Sequence, residues 1–134
     1  MILGLAHVCF RVADMDRALK FYTETLGFKR AFDFINDKGV RHGVYIKAGS
    51  RNFIELFQTD AVTPPADKQS FRHICLEVDD VAKTVVELRG KGVEVSEPKL
   101  GLDQSWQAWI KDPDGNAIEL HGYTPKSWQV PHLG

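Results

Sequence analysis

Apolar and polar residues alternate along most of this chain in short runs, interrupted twice by stretches with helical spacing. From 5 to 12, Val8, Phe10 and Val12 fall on one phase and His7, Cys9 and Arg11 on the other, the period of a half-buried strand. Asp14 stands where a helix cap belongs, and Ala18, Leu19, Tyr22 and Leu26 follow at helical spacing up to Gly27, so a helix is predicted to end there. Strand-like runs near 28–35, 41–48 and 52–58 come next, parted by Asp37-Lys38-Gly39 and Gly49-Ser50. The polar stretch 59–70, with Pro64-Pro65, reads as a linker. The order then restarts. A strand at 72–78 leads to a helix capped by Asp79 or Asp80, with the stripe Val81, Val85 and Leu88 and the stops Gly90 and Gly92. Strands near 92–96, 105–111 and 116–122 close the second half, the last two joined by the turn Asp112-Pro113-Asp114-Gly115. The tail 124–134, with Pro125, Trp128 and Pro131, reads as an arm.

The restart is legible in the letters. His7-Val8-Cys9-Phe10 matches His73-Ile74-Cys75-Leu76 at an offset of 66, and Phe53-Ile54-Glu55-Leu56 matches Ala117-Ile118-Glu119-Leu120 at 64. Two landmarks repeating at nearly one spacing mark an internal duplication. The predicted class is therefore α+β, with two βαβββ modules in tandem forming a curved mixed sheet with a cleft. Module one spans about 3–58 and module two about 71–123, within one domain, 1–134.

In all four matching strands the fully apolar phase is the one without the His or Glu. That face is expected to pack on the helices. The other would line a polar concavity holding His7, Glu55, His73 and Glu119, where buried carboxylates need compensating charge. Two neutral imidazoles and two carboxylates form an N2O2 set suited to one divalent Zn, Ni, Co, Mn or Fe, with positions left for water or substrate. Phe53 and Phe57 flank Glu55 on its face and make the cleft partly apolar, as a small-molecule site requires. His121 shares the face of Glu119 as proton shuttle, extra ligand or rim residue. Trp106 and Trp109 lie on opposite phases, so one of the two is free to line the pocket. Cys9 and Cys75 are expected to be inert buried thiols, and His42 and His132 carry no signal.

Composition narrows the partners. With 134 residues and 43% apolar content, the chain fits one compact domain. Seventeen basic against 18 acidic residues, and no long Lys/Arg run, argue against nucleic acid. No apolar run is long enough to span a membrane. Two cysteines and no export-like leader give a cytoplasmic expectation.

With His7, Glu55, His73 and the segment Asp112-Pro113-Asp114-Gly115…Ile118-Glu119 as anchors, residues 3–123 resemble the vicinal oxygen chelate superfamily, and within it glyoxalase I, the lactoylglutathione lyases. The resemblance implies that His7, Glu55, His73 and Glu119 bind one metal, at an interface of a homodimer. It implies that a carboxylate, Glu119 first and Glu55 second, moves a proton between vicinal carbons of a hemithioacetal or related hydroxycarbonyl. The metal would stabilise the developing enediolate as a Lewis acid. No organic cofactor is implied; glutathione or another thiol would be co-substrate to a small carbonyl compound. Arg11 matches an arginine that holds the glutathione moiety in that family, with a bridge to Glu77 as the alternative. The region 99–106 has no counterpart of the family's Lys-Gly-Gly-like stretch. Rival readings within the fold are a fosfomycin-resistance type, which lacks a ligand at the place of Glu55, and an epimerase, which tends to carry Gln there. A ligand-sequestering protein without metal is the third.

Overall fold

The computed structural model describes residues 1–134, which separate into two compact units, Met1–Pro64 and Pro65–Gly134. In the first, β1 (His7–Val12) is followed by α1 (Met15–Lys20), a π-helical turn (Phe21–Thr25), β2 (Lys29–Ile35), β3 (Arg41–Lys47) and β4 (Phe53–Gln58). These strands form one mixed sheet in the order β1-β4-β3-β2. β1 runs parallel to β4, with Cys9 opposite Glu55, while β3 is antiparallel to it, with Tyr45 opposite Glu55. A parallel pair needs a crossover connection, and α1 supplies part of it.

Asp14 caps α1 by accepting from the Arg17 N–H at 3.0 Å. Met15, Ala18, Leu19 and Tyr22 are buried, one stripe at i, i+3, i+4 and i+7. The predicted single helix to Leu26 instead loosens into a π turn, where Leu26 N–H bonds the Phe21 carbonyl at 2.9 Å. The Thr23 hydroxyl donates to the Leu19 carbonyl at 2.7 Å, a side-chain competitor that disturbs a regular ladder. Gly27, at φ +81°, turns the chain out. Beneath the helix lie Val12, Val44, Ile46, Ile54 and Leu56, all buried; each such side chain contributes about 1.5–3 kcal/mol by leaving water.

The second unit repeats the plan with a shorter edge. β5 (Ile74–Glu77), α2 (Val81–Gly90), β6 (Lys99–Leu100), β7 (Trp106–Lys111) and β8 (Ala117–Gly122) pair as β5-β8-β7-β6. Asp80, not Asp79, caps α2 through the Lys83 N–H at 3.0 Å. Val81, Val85 and Leu88 are its buried stripe. At Asp112-Pro113-Asp114-Gly115, one Asp112 oxygen accepts from the Asp114 and Asn116 N–H groups and the other from the Asn116 amide.

Three expectations are corrected here. The strand near 92–96 does not form. Ser96 meets Trp109 with its backbone N–H on one side and its hydroxyl on the other, and Pro98 has no N–H to extend a ladder, so only Lys99–Leu100 pairs with β7. His73 lies one residue before β5 rather than within it. Nor is the tail a free arm. The Trp128 N–H bonds the Asp103 carbonyl at 3.0 Å, and the Gln129 amide donates to the Asp103 carboxylate at 2.6 Å. The Ser127 hydroxyl meets that of Ser105 at 2.8 Å, and the tail ends in a 3-10 turn at Val130–His132.

Candidate metal centre

In each unit the parallel pair places a histidine beside a glutamate. In unit one His7 Nε2 lies 3.0 Å from Glu55 Oε2, and in unit two His73 Nε2 lies 3.1 Å from Glu119 Oε2. One metal ion with bonds of about 2.1 Å at a right angle would span donors about 3 Å apart, so each pair could offer two donors to such an ion. The donors are borderline nitrogen and hard oxygen, in keeping with a divalent transition metal. His7, Glu55 and Glu119 stand on the strand phase opposite the buried apolar one, and His73, one residue ahead of β5, meets Glu119 there.

The two halves are not chemically alike. In unit one the Tyr45 hydroxyl donates to Glu55 Oε2, the same oxygen that meets His7. That bond, with desolvation and the carboxylate charge, pushes the Tyr45 hydroxyl up to about 12. Glu55 is buried at 8% exposure. Around it stands a wall of rings. Tyr45 stacks on Phe32 at 4.4 Å and meets Phe53 edge-on at 6.0 Å, while Phe34 packs against Phe57 at 5.5 Å and His42 at 5.0 Å. Phe57 closes on Gly43, where an added Cβ would sit 2.6 Å from the ring. Phe32 and Phe34 remain 49% and 42% exposed, a lipophilic surface unlike an ordinary strand face.

In unit two the corresponding partner of Glu119 is Trp109. It packs edge-on against His73 at 4.7 Å and sends its N–H to Gln107 at 3.1 Å. Trp109 is thus the tryptophan on the face of Glu119, and Trp106 is on the other phase. Glu119 Oε1 instead meets His121 Nδ1 at 3.2 Å. Cys75, Glu119 and His121 bring donor atoms within 4.8 Å of one another, which makes a three-residue cluster able to hold a metal. Desolvation and the Glu119 carboxylate push the Cys75 thiol up to about 12, although solvent reaches the residue. Cys9, opposite Glu55, is raised for the same reasons, desolvation first. Both cysteines are free and, against expectation, exposed rather than buried; both stay thiols, the weak form as nucleophile or ligand.

Of the predicted site residues, His7 and Glu55 are brought together in one unit, and His73, Glu119 and His121 in the other. Phe53 and Phe57 flank Glu55 as expected, with the Lys47 ammonium 4.8 Å over the Phe53 ring. Arg11 is exposed on the same face of β1. Sequence reasoning missed Tyr45, Phe32 and Phe34, and it set aside His42, which lies in β3 within the aromatic wall and keeps a buried Nδ1 without a partner. The offset of 64 that links Glu55 to Glu119 also links Tyr45 to Trp109, a signal that would have found it.

Two βαβββ units, each carrying a His–Glu pair on the sheet face away from its helix, define a class of tandem-module proteins with metal-type donors. The chain belongs to the glyoxalase/bleomycin resistance protein/dioxygenase superfamily, whose family profile matches residues 4–120. It is 40% identical over 130 residues to a probable chloroplastic lactoylglutathione lyase of Arabidopsis thaliana, covering 91% of this chain but 37% of that protein. The chain thus spans well under half the length of that plant relative. A probable lactoylglutathione lyase of Synechocystis is 33% identical, covering 87% of this chain and 92% of the other. Among solved structures, TnmS3, an antibiotic binding protein from Streptomyces sp. CB03234, is 31% identical with a TM-score of 0.75, covering 92% and 98% of the two chains.

Proposed function

We propose that this protein is a divalent-metal-dependent lyase of the glyoxalase I type, converting the hemithioacetal of a 2-oxoaldehyde into a 2-hydroxyacyl thioester. The observation that carries this reading is the matched pair of His–Glu contacts, 3.0 and 3.1 Å, at equivalent places in two modules. In this reading His7, Glu55, His73 and Glu119 combine into one ligand set, at an interface of a homodimer. A bound divalent metal would supply Lewis acidity towards vicinal substrate oxygens. Glu119 removes the proton from the carbon beside the carbonyl and returns it to the neighbouring carbon, so no redox partner is needed. A positioned general base of this kind contributes about 10²–10⁴-fold in rate. The rings of Phe32, Phe34, Phe53 and Phe57 hold the apolar substituent of the aldehyde and exclude water. Arg11, exposed on the same face, would meet a carboxylate of the thiol, with glutathione the first candidate.

The test is metal analysis of the dialysed protein, followed by assay of methylglyoxal–glutathione hemithioacetal after loading with Ni or Zn. Expected are about one metal per His/Glu/His/Glu set and turnover that chelation removes. Protein that takes up no metal and forms no thioester would end this reading. It would then favour a second one, a ligand-sequestering protein, supported by the exposed aromatic wall and the likeness to an antibiotic binding protein. Metal retained in full by Glu55→Ala would favour the three-ligand, fosfomycin-resistance type.

A further inference from the structure

The two glutamates occupy matching positions, yet their hydrogen-bond partners differ in kind. Glu55 has one oxygen, Oε2, facing both His7 Nε2 and the Tyr45 hydroxyl. Glu119 has its two oxygens divided between two imidazoles, Oε2 towards His73 and Oε1 towards His121. Trp109, the counterpart of Tyr45, gives its only donor to Gln107 and none to Glu119. Tyr45 is itself held. Its ring is stacked on Phe32 and edged by Phe53, and it faces Glu55 directly across the β3–β4 ladder. A hydroxyl on a packed ring holds the carboxylate it bonds in one orientation, as outer partners of metal ligands do.

We propose that Tyr45 is a positioning residue, whose hydroxyl fixes the orientation of Glu55 as a metal ligand, a role that no side chain across the ladder from Glu119 fills. The proposal rests on the metalloenzyme reading above and separates two groups that their shared motif makes look equivalent. The duplication supplied two carboxylates. A single aromatic difference, Tyr45 against Trp109, gives one of them a hydroxyl partner across the ladder and the other none.

The test is a double-mutant cycle read by Co(II) titration of the metal-free protein, using the visible absorption of the bound ion, alongside steady-state kinetics. Tyr45→Phe keeps the ring stack and removes only the hydroxyl. It is expected to weaken Co(II) binding by roughly 10–100-fold, the usual effect of losing a residue that orients a ligand, and to change the spectrum of the bound ion. Trp109→Phe is expected to leave Co(II) affinity within about twofold, since Trp109 donates nothing to Glu119. In a Glu55→Gln background Tyr45→Phe should add no further loss; in a Glu119→Gln background it should retain its full effect. A general packing defect would weaken binding alike in both backgrounds, and that result would overturn the proposal. So would a Tyr45→Phe variant that binds Co(II) as the parent does. A parent that binds no Co(II) would instead remove the metalloenzyme reading, and the proposal with it, so the two failures are distinct. Thermal unfolding of each variant verifies folding; should Tyr45→Phe not fold, Tyr45→Trp, which copies the second module, takes its place in the cycle.

Discussion

The chemistry of the site turns on single side chains, and two substitutions test it at that scale. Glu119→Gln keeps size and hydrogen-bonding capacity but removes the basic oxygen. Turnover of the hemithioacetal should fall by at least about 10²-fold, while metal is at most partly lost; full activity would refute the assignment of Glu119 as base. Gly43→Ala addresses the aromatic wall. Because its new Cβ would sit 2.6 Å from the Phe57 ring, the ring must shift. Overpacking of this kind costs about 1–3 kcal/mol. A lowered unfolding midpoint together with a raised KM for bulky aldehydes is the expected outcome, and an unchanged midpoint would show that the ring yields freely.

At the scale of elements, local text and observed structure can be compared piece by piece. The caps at Asp14 and Asp80, the stop at Gly27 and the turn at Asp112 depend on neighbours within four residues, so their chemistry is readable in order along the chain. The strand phases are readable for the same reason, and with them the face that His7 shares with Glu55 and, in the second unit, the equivalent face that carries Glu119. What escaped were cases where a distant or side-chain partner displaced the backbone pattern. Ser96 bonding Trp109 and Pro98 shortened the second module's edge strand, and the Thr23 hydroxyl accompanies the π turn. Asp80→Ala should cost about 1 kcal/mol through loss of the α2 cap, measured by denaturant unfolding. No change would mean that packing alone holds that helix start.

At the scale of the whole molecule, the tail is held by a contact that responds to pH. The Gln129 amide, with further bonds from Ser105, holds the Asp103 carboxyl below its usual value of 3.8. A carboxyl lowered in the folded state adds stability that is present above the unfolded value and is lost as pH falls through the folded one. The tail 124–132 is therefore expected to loosen as pH drops from about 4 downwards, seen as earlier proteolysis or faster amide exchange there. Asp103→Asn should flatten that dependence; an unaltered acid response would place its origin elsewhere. Metal should act on the whole fold as well. A ligand at 100 times its Kd stabilises by about 2.7 kcal/mol when it binds only the native state, so chelation should lower the unfolding midpoint of the loaded protein, and the absence of any shift would argue against a resident ion.

By itself the sequence determined the module plan, the strand phases and the four residues of the candidate metal set, because duplication and a period of two are local properties that repetition makes visible. Only the tertiary structure decided which residues stand across from them. The pairing of β3 with β4 sets Tyr45 on Glu55, and the pairing of β7 with β8 sets Trp109 on the face of Glu119. The docking of the tail on Asp103 likewise depends on residues some 25 positions apart. Such contacts arise from strand register and loop closure rather than from any neighbouring letters, and the strand pairings make the two similar His–Glu pairs chemically distinct.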